Sequence, residues 1–399
     1  MQLKKKHVGI GTVNISDTAR KNVLKVLASN RLSPGKYTEK LEINLASLHD
    51  RKFAIFCNSG TSALHVALGV LKEKFNWRDG DEVIVPAVTF VATSNVVIHN
   101  NLKPVFVDVE SDFYGINPDL IESRISTRTR AIMPVHLFGQ SADMKPIMKM
   151  AKKYNLKVLE DSAEAMFVKY NGKPVGSSGD IACFSTYATH LITTGVGGFS
   201  MTNDPELAVM MKSYFNHGRD RIYLTIDDDD SVSPKKLFEI IPRRFSFVHI
   251  GHSFRLTEIE AALGLAQLDV WEKIISHRQA NAQYLTKGLA KYSYYIQTPK
   301  IRKNSEHGFM LYPILIINQK IDREKLINFL EQNGVETRYL MPLINQPVYK
   351  KMFGDIENNY PVAKAINRNG FIVGCHQDLT ESDLDYVIDK FSKFFKKYA

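Results

Sequence analysis

Phe184-Ser185-Thr186-Tyr187-Ala188-Thr189-His190-Leu191-Ile192-Thr193-Thr194-Gly195-Val196-Gly197-Gly198 is the stretch on which the reading of this chain turns. An apolar run leads straight into Ser185, and paired glycines close the segment at Gly197-Gly198. A polar residue directly beyond a buried strand stands where layered α/β proteins gather their functional groups. Paired glycines permit close backbone approach to a bound group, although they are equally common in plain turns. Between these features stands His190, whose imidazole titrates near neutral pH and can therefore move protons. Taken alone, a histidine among apolar residues is more often a satisfied core side chain. The surrounding chain has to decide.

Outward from this stretch, strand-like and helical patterns alternate. Ala54-Ile55-Phe56-Cys57, Val83-Ile84-Val85-Pro86, Pro104-Val105-Phe106-Val107, Ala131-Ile132-Met133-Pro134-Val135 and Lys157-Val158-Leu159-Glu160 read as buried strands. Thr61 to Glu73 and Met144 to Lys153 read as helices between them. That rhythm predicts an α/β layered domain with a mostly parallel sheet. Asp161, like Ser185, follows an apolar run immediately. A long amphipathic helix from Leu256 onward is expected to bridge to a smaller lobe, dividing the chain into residues 1–270 and 271–399. In that lobe Phe309 to Ile316 reads as a strand, and Arg323 to Glu331 and Thr380 to Phe395 as helices. Thr380 with Asp383 resembles a capping pair.

Arg219 to Val248 breaks the rhythm. Its Asp227-Asp228-Asp229-Asp230 run lacks the alternating ligand spacing and turn glycine of a calcium loop, so a solvated, partly mobile loop is expected and no metal site. Composition sets outer bounds. The 399 residues can bury a sizeable core, and 44% hydrophobic with 24% charged residues is ordinary for a globular protein. No apolar run has membrane-spanning length, and Met1-Gln2-Leu3-Lys4-Lys5-Lys6 lacks the apolar stretch of a signal peptide, so a cytoplasmic enzyme is expected. Cys57, Cys183 and Cys375 are too scattered for a disulfide framework or an iron–sulfur cluster. The net charge of +10 is spread along the chain without aromatic-interleaved basic runs. It favours anionic small molecules over nucleic acid.

Four ordered blocks then carry a resemblance. They are Asn58-Ser59-Gly60-Thr61-Ser62-Ala63-Leu64, the pair Asp81 to Pro86 and Thr89-Phe90-Val91-Ala92-Thr93, Leu159-Glu160-Asp161-Ser162-Ala163-Glu164-Ala165, and Ile250-Gly251-His252-Ser253-Phe254-Arg255. With the opening stretch they resemble the DegT/DnrJ/EryC1/StrS family of pyridoxal-phosphate-dependent sugar enzymes, from about Ser16 to the C-terminus. The resemblance implies the fold-type I architecture, with a large domain built on a mostly parallel mixed sheet and a smaller α+β C-terminal domain. It implies pyridoxal 5′-phosphate or pyridoxamine 5′-phosphate as cofactor. Asp161 would pair with the ring nitrogen and keep it protonated. Gly60, Thr61, Ser62 and Ser185 would hold the phosphate through helix-end amides and hydroxyls. Phe90 would stack on the ring. Ser253, where the family usually has asparagine, would reach the cofactor of a second subunit in a homodimer with shared active sites. Val196 stands where the family usually has glutamate.

His190 and Glu164 set the expected chemistry. The family usually carries a lysine at position 190, which anchors the cofactor covalently; an imidazole forms no stable imine with an aldehyde. An acidic residue at position 164 with histidine at 190 is similar to the GDP-4-keto-6-deoxymannose 3-dehydratase type, as is Asn369-Gly370-Phe371-Ile372-Val373-Gly374-Cys375-His376-Gln377. Leu191 departs from the second histidine that often follows the first. The resemblance therefore implies C3 dehydration of a nucleotide-linked 4-keto-6-deoxy sugar, with His190 as acid and base, Glu164 beside the ring, and glutamate as amine donor. Two alternatives stay open: a sugar aminotransferase that manages with histidine or recruits Lys169 or Lys173, and a non-catalytic cofactor-binding homologue.

Overall fold

The computed structural model describes residues 6–398. Seven strands make the principal sheet: β1 (Phe53–Cys57), β2 (Glu82–Pro86), β3 (Lys103–Val107), β4 (Thr129–Ile132), β5 (Lys157–Asp161), β6 (Ile181–Ser185) and β7 (Gly198–Thr202). Their spatial order is β1-β7-β6-β5-β4-β2-β3. Strands β3, β2, β4, β5 and β6 run parallel, whereas β7 lies antiparallel between β6 and β1.

Helices cover both faces of this sheet, which is why its strands read as continuous apolar runs rather than alternating ones. Side chains still alternate between faces. Val83 and Val85 of β2 join one cluster, with two helices that follow α1 (Asp17–Ala28), namely α2 (Lys36–Leu48) and α3 (Gly60–Lys74), and with the later Pro205–Phe215. Ile84 joins the opposite cluster, with Met144, Ile147 and Ala151 of the helix Met144–Lys153. The apolar run expected over Ala131 to Val135 is a strand only as far as Ile132. Beyond it the chain bends, and Val135 returns as an isolated bridge to Asp161, with His136 N donating to the Asp161 carbonyl.

The helix expected to run unbroken from Leu256 is two helices. The first, Glu258–Gln267, opens on a capping box between Thr257 and Glu260. Leu268 and Val270 then donate back only three residues, to Leu265 and Gln267. Such bonds tighten and end a helix. Val270, with φ −131° and ψ 4°, lies outside helical space, and a second helix, Trp271–Leu289, starts afresh. This second helix packs on an antiparallel sheet of β8 (Ile296–Gln297), β9 (Tyr312–Ile316), β10 (Thr337–Tyr339) and β11 (Gly370–Val373), ordered β8-β9-β11-β10. Arg323–Gln332 and Glu381–Tyr398 complete that cluster, and Val8 from the start of the chain joins it. Thr380 and Asp383 bond reciprocally, as a capping pair should.

Strand β7 is what brings the opening stretch to the start of α3. Gly198 pairs with Cys57 of β1 on one side and Ser185 of β6 on the other. A Cβ at position 198 would lie 2.5 Å from Gly60 N and from Ser59 C and O. Those are backbone atoms and cannot swing aside. Gly198→Ala is therefore expected to cost about 1–3 kcal/mol, the range for overpacked interiors, read as a lowered urea midpoint. An unchanged midpoint would show that the strand can retreat from the α3 turn.

Candidate active site

Asp161 ends β5 with its carboxylate buried. Thr89 and Thr93 form a hydroxyl relay at 2.8 Å, and Thr93 Oγ1 donates onward to Asp161 Oδ2 at 2.8 Å. Ala163 N donates to Oδ1 at 3.2 Å. Burial raises the carboxyl's proton affinity, with the Thr93 and Ala163 bonds acting against that rise. Among the described residues no lysine or arginine forms a hydrogen bond to it. A buried acceptor of this kind suits a cationic N–H.

Beside it lies the start of α3. Ser59 caps the helix, accepting from Ser62 N at 3.0 Å and donating to Ser62 Oγ at 3.0 Å. A Cβ on Gly60 would lie 2.8 Å from Ser185 Cβ, so the Gly60-Thr61-Ser62 turn and the end of β6 are in direct apposition. Free helix amides and serine hydroxyls at one place are an anion-binding arrangement.

The loop between β6 and β7 carries His190. Thr186 and Thr194 close its neck, hydroxyl to hydroxyl at 2.6 Å, with Thr194 N donating to the Thr186 carbonyl. A Cβ at Gly197 would meet Thr194 and Thr186 Oγ1 at 2.3 and 2.4 Å, so that position has no space for a side chain. The half-buried His190 places Nδ1 2.9 Å from the Ala163 carbonyl oxygen. A carbonyl only accepts, so Nδ1 carries the proton and Nε2 keeps a lone pair. Burial holds the imidazole down to about 4, against the pull of the Ala163 and Ser185 backbone, with Arg278 lowering it further. At neutral pH it is an uncharged base.

Glu164 completes the group. Phe138 N donates to its Oε2 at 2.7 Å. Burial pushes this carboxyl up to about 7; the Phe138 bond opposes the rise and Asp161 adds to it. Phe138 itself sits at φ 59°, a left-handed conformation uncommon for a bulky residue. Behind the site, fully buried Glu160 accepts from Gly176, Ser178 and Gly179 amides at 2.5–3.1 Å and faces Arg51 and His136. Burial works against its charge, but His136, Arg51 and the Gly179 amide outweigh burial and hold it below the usual range. This network anchors the strand end that presents Asp161. Neither Thr93, Phe138 nor the Glu160 network figured among the residues singled out from sequence.

Phe90 caps the helix Val91–His99 next to the threonine relay, with its ring 58% exposed. An exposed aromatic ring offers a stacking face. Thr61 is exposed at the helix start. Ser253 stands apart: it bridges to Asn216 and accepts from Arg255 at 3.3 Å, on an exposed segment. The next residue but one before α3, Asn58, donates to the Phe254 carbonyl at 2.8 Å and ties that segment to the α3 turn. In the Asp227–Asp230 run, Asp227 pairs with Arg31, Asp228 accepts from the Leu224 and Thr225 amides, and Asp229 pairs with Arg244. Three of these four carboxylates are thus engaged by the protein itself. Lys169 and Lys173 lie exposed on a short hairpin whose neighbours are residues 304–306.

The DegT/DnrJ/EryC1/StrS aminotransferase family profile matches residues 13–392. The chain belongs to this family. GDP-perosamine synthase of Caulobacter vibrioides is 33% identical over 384 residues, 96% of each chain. The Escherichia coli GDP-4-keto-6-deoxy-D-mannose-3-dehydratase, solved with bound hydrated PLP, aligns at a TM-score of 0.87 and 26% identity over 96% of this chain and 99% of that one. Helicobacter pylori PseC, an aminotransferase of pseudoaminic acid biosynthesis, aligns at 0.86 and 28% identity over 98% and 100%. The fold is thus that of the family's sugar aminotransferases and dehydratases. Among the described residues no helix is long and apolar enough to cross a membrane.

The raised Glu164 carboxyl makes a test of this geometry. Folded Glu164 stays protonated up to about pH 7, whereas an unfolded glutamate ionises near 4.5. Its contribution to stability is present below 4.5 and lost as pH rises through 7. Glu164→Gln mimics the protonated form, so variant and wild type should unfold alike at pH 4, with the variant the more stable at pH 8. Parallel stability–pH curves would show that Glu164 is ionised throughout.

Proposed function

We propose that this enzyme, dependent on pyridoxal 5′-phosphate or pyridoxamine 5′-phosphate, removes the C3 hydroxyl of a nucleotide-linked 4-keto-6-deoxy sugar. The observation that carries the reading is His190, an uncharged imidazole whose Nδ1 lies against the Ala163 carbonyl, at the position where the family usually anchors its cofactor through lysine. The cofactor, when bound, supplies an amine to join the C4 ketone and a ring that accepts electrons. Asp161 accepts from the ring N–H and keeps that proton in place. Gly60, Thr61, Ser62 and Ser185 hold the phosphate, and Phe90 covers one ring face. His190 Nε2 takes a proton at the reacting carbon and delivers it to the departing C3 oxygen, which leaves as water. Glu164, pushed up to about 7, presents a carboxyl that below that pH adds no second buried charge beside Asp161.

Glutamate is the amine donor in this reading, and the residues 1–270 form the cofactor-binding domain with 271–399 as the smaller one. A homodimer completes the site through Ser253. Supporting a second copy, Phe238, Ile241 and Ile250 near that segment are 76%, 46% and 94% exposed, apolar surface that a lone protomer would leave in water. The aminotransferase reading keeps the likeness to GDP-perosamine synthase and PseC. Against it stand Lys169 and Lys173, both outside the Asp161 cluster on an exposed hairpin.

The test is product analysis after incubation with cofactor, glutamate and a panel of nucleotide-4-keto-6-deoxy sugars. The reading predicts a 3-deoxy-4-keto product with release of ammonia, and no pyridoxyl-lysine after borohydride treatment. His190→Asn should still bind cofactor but run about 10²–10⁴-fold slower. A 4-amino sugar without ammonia, or a stoichiometric lysine adduct, would overturn it in favour of transamination.

A further inference from the structure

Arg278, in the helix Trp271–Leu289, is 1% exposed and among the largest fully buried side chains of the described residues. An arginine buried this far is ordinarily matched by a carboxylate. Among the described residues this one forms no ion pair. Its Nη1 donates to the Phe309 and Met310 carbonyls at 3.1 and 3.0 Å, and its Nε donates to Gln377 Oε1 at 3.0 Å. Nη2 is buried without a partner. Asp378 favours the arginine's charge from nearby, but its Oδ2 accepts from Thr12 Oγ1 at 2.7 Å. A cation kept in the interior on neutral acceptors alone is costly, so what its bonds hold in place matters.

The two carbonyls belong to a turn on which two groups of the candidate site lean. Gly308 N donates to the Gly139 carbonyl at 2.7 Å, and His307 bridges to Gln140. A Cβ on Gly139, at φ 99°, would lie 2.8 Å from both Phe309 N and Met310 N, so the two turns press together backbone to backbone. One residue before Gly139, Phe138 donates its N–H to Glu164 Oε2 at 2.7 Å. The same turn also meets the His190 loop. A Cβ on Gly308 would lie 3.0 Å from Val168 Cγ1 and 3.6 Å from Cδ1 of Leu191, the neighbour of His190. The arginine bears on the imidazole electrostatically as well, since it adds to the lowering that burial imposes on His190. Of the other groups facing that ring, the Ala163 and Ser185 backbone pull the opposite way, and Tyr187 meets it edge-on at 6.1 Å.

We propose that Arg278 is a positioning residue of the candidate site, fixing the turn at 308–310 on which the Phe138–Glu164 bond and the His190 loop both rest. Its charge works in the same direction, because an unmatched cation disfavours a second one nearby. Gln377 fits this role better than an acid would: it satisfies Nε without neutralising the guanidinium. The inference rests on the reading of His190 as the working base, and it assigns Arg278 no contact with sugar or cofactor.

Histidine ¹⁵N titration of the cofactor-loaded enzyme tests this without relying on turnover. Arg278→Met keeps an apolar stem and removes both the carbonyl clamp and the charge. It should shift the His190 protonation midpoint upward and reduce the share of the ring protonated at Nδ1 at pH 7. Arg278→Lys, which keeps a cation and a donor, should bring the midpoint back towards wild type. Loss of a buried arginine can also unfold a chain, so Gly308→Ala supplies a second arm. It leaves Arg278 in place, presses on Val168 and Leu191, and should move the His190 resonances. A His190 midpoint and tautomer unchanged in Arg278→Met would overturn the inference and leave the arginine a packing residue. If the Arg278 variants do not fold, unchanged His190 resonances in Gly308→Ala overturn it equally. Neither result touches the dehydration reading, which product analysis of the wild type decides. A wild type that makes only a 4-amino sugar while Arg278→Met still shifts His190 would sink that reading and keep the positioning role.

Discussion

The hydrogen bond from His190 Nδ1–H to the Ala163 carbonyl, at 2.9 Å, is the contact on which the account depends. A carbonyl only accepts, so this bond puts a proton on Nδ1. It also joins two elements that meet only in the folded chain: the turn after β5 and the loop between β6 and β7. Ala163 serves both sides, since its N–H donates to Asp161 while its carbonyl holds His190. A shift of that turn would disturb the carboxylate and the imidazole at once.

Three ionisable groups of different character are thereby set within a four-residue turn and one loop. Burial raises the proton affinity of Asp161, but two donors keep its oxygens as acceptors. Glu164 is pushed to about 7 and His190 down to about 4. Between those two values both groups are uncharged, so Asp161 is spared a second buried charge beside it there. Glu160, one residue before Asp161, takes the opposite solution. It keeps its charge by collecting three amides, a histidine and an arginine. That arrangement is structural, and it fixes the strand end that carries the neighbouring carboxylate.

Much of this was legible in the sequence because hydrophobic period and block order are local signals. Strands β1, β2, β3 and β5 and helix α3 appear where the apolar runs place them. Local signals fail where a long-range contact does the work. Thr93 reaches Asp161 across 68 residues, and Phe138 contributes a backbone N–H that no residue type announces. The four aspartates read as solvated, yet Asp227 finds Arg31 from 196 residues away. The break between Gln267 and Trp271 was hidden because Leu, Asp and Val at 268–270 do not interrupt an amphipathic pattern; only the backbone at Val270 ends the helix. Ser253 follows from pattern alone, and in the single protomer its partners are Asn216 and Arg255 rather than the Asp161 cluster.

Selective ¹⁵N labelling of histidine, with His190→Asn to assign the resonance, reads the central claim directly. The account predicts that at pH 7 the His190 ring is neutral, with Nδ1 protonated and Nε2 bare, and that it takes up a proton only well below the usual histidine range, towards about 4. An imidazolium at pH 7, or a proton on Nε2 with Nδ1 bare, would contradict it.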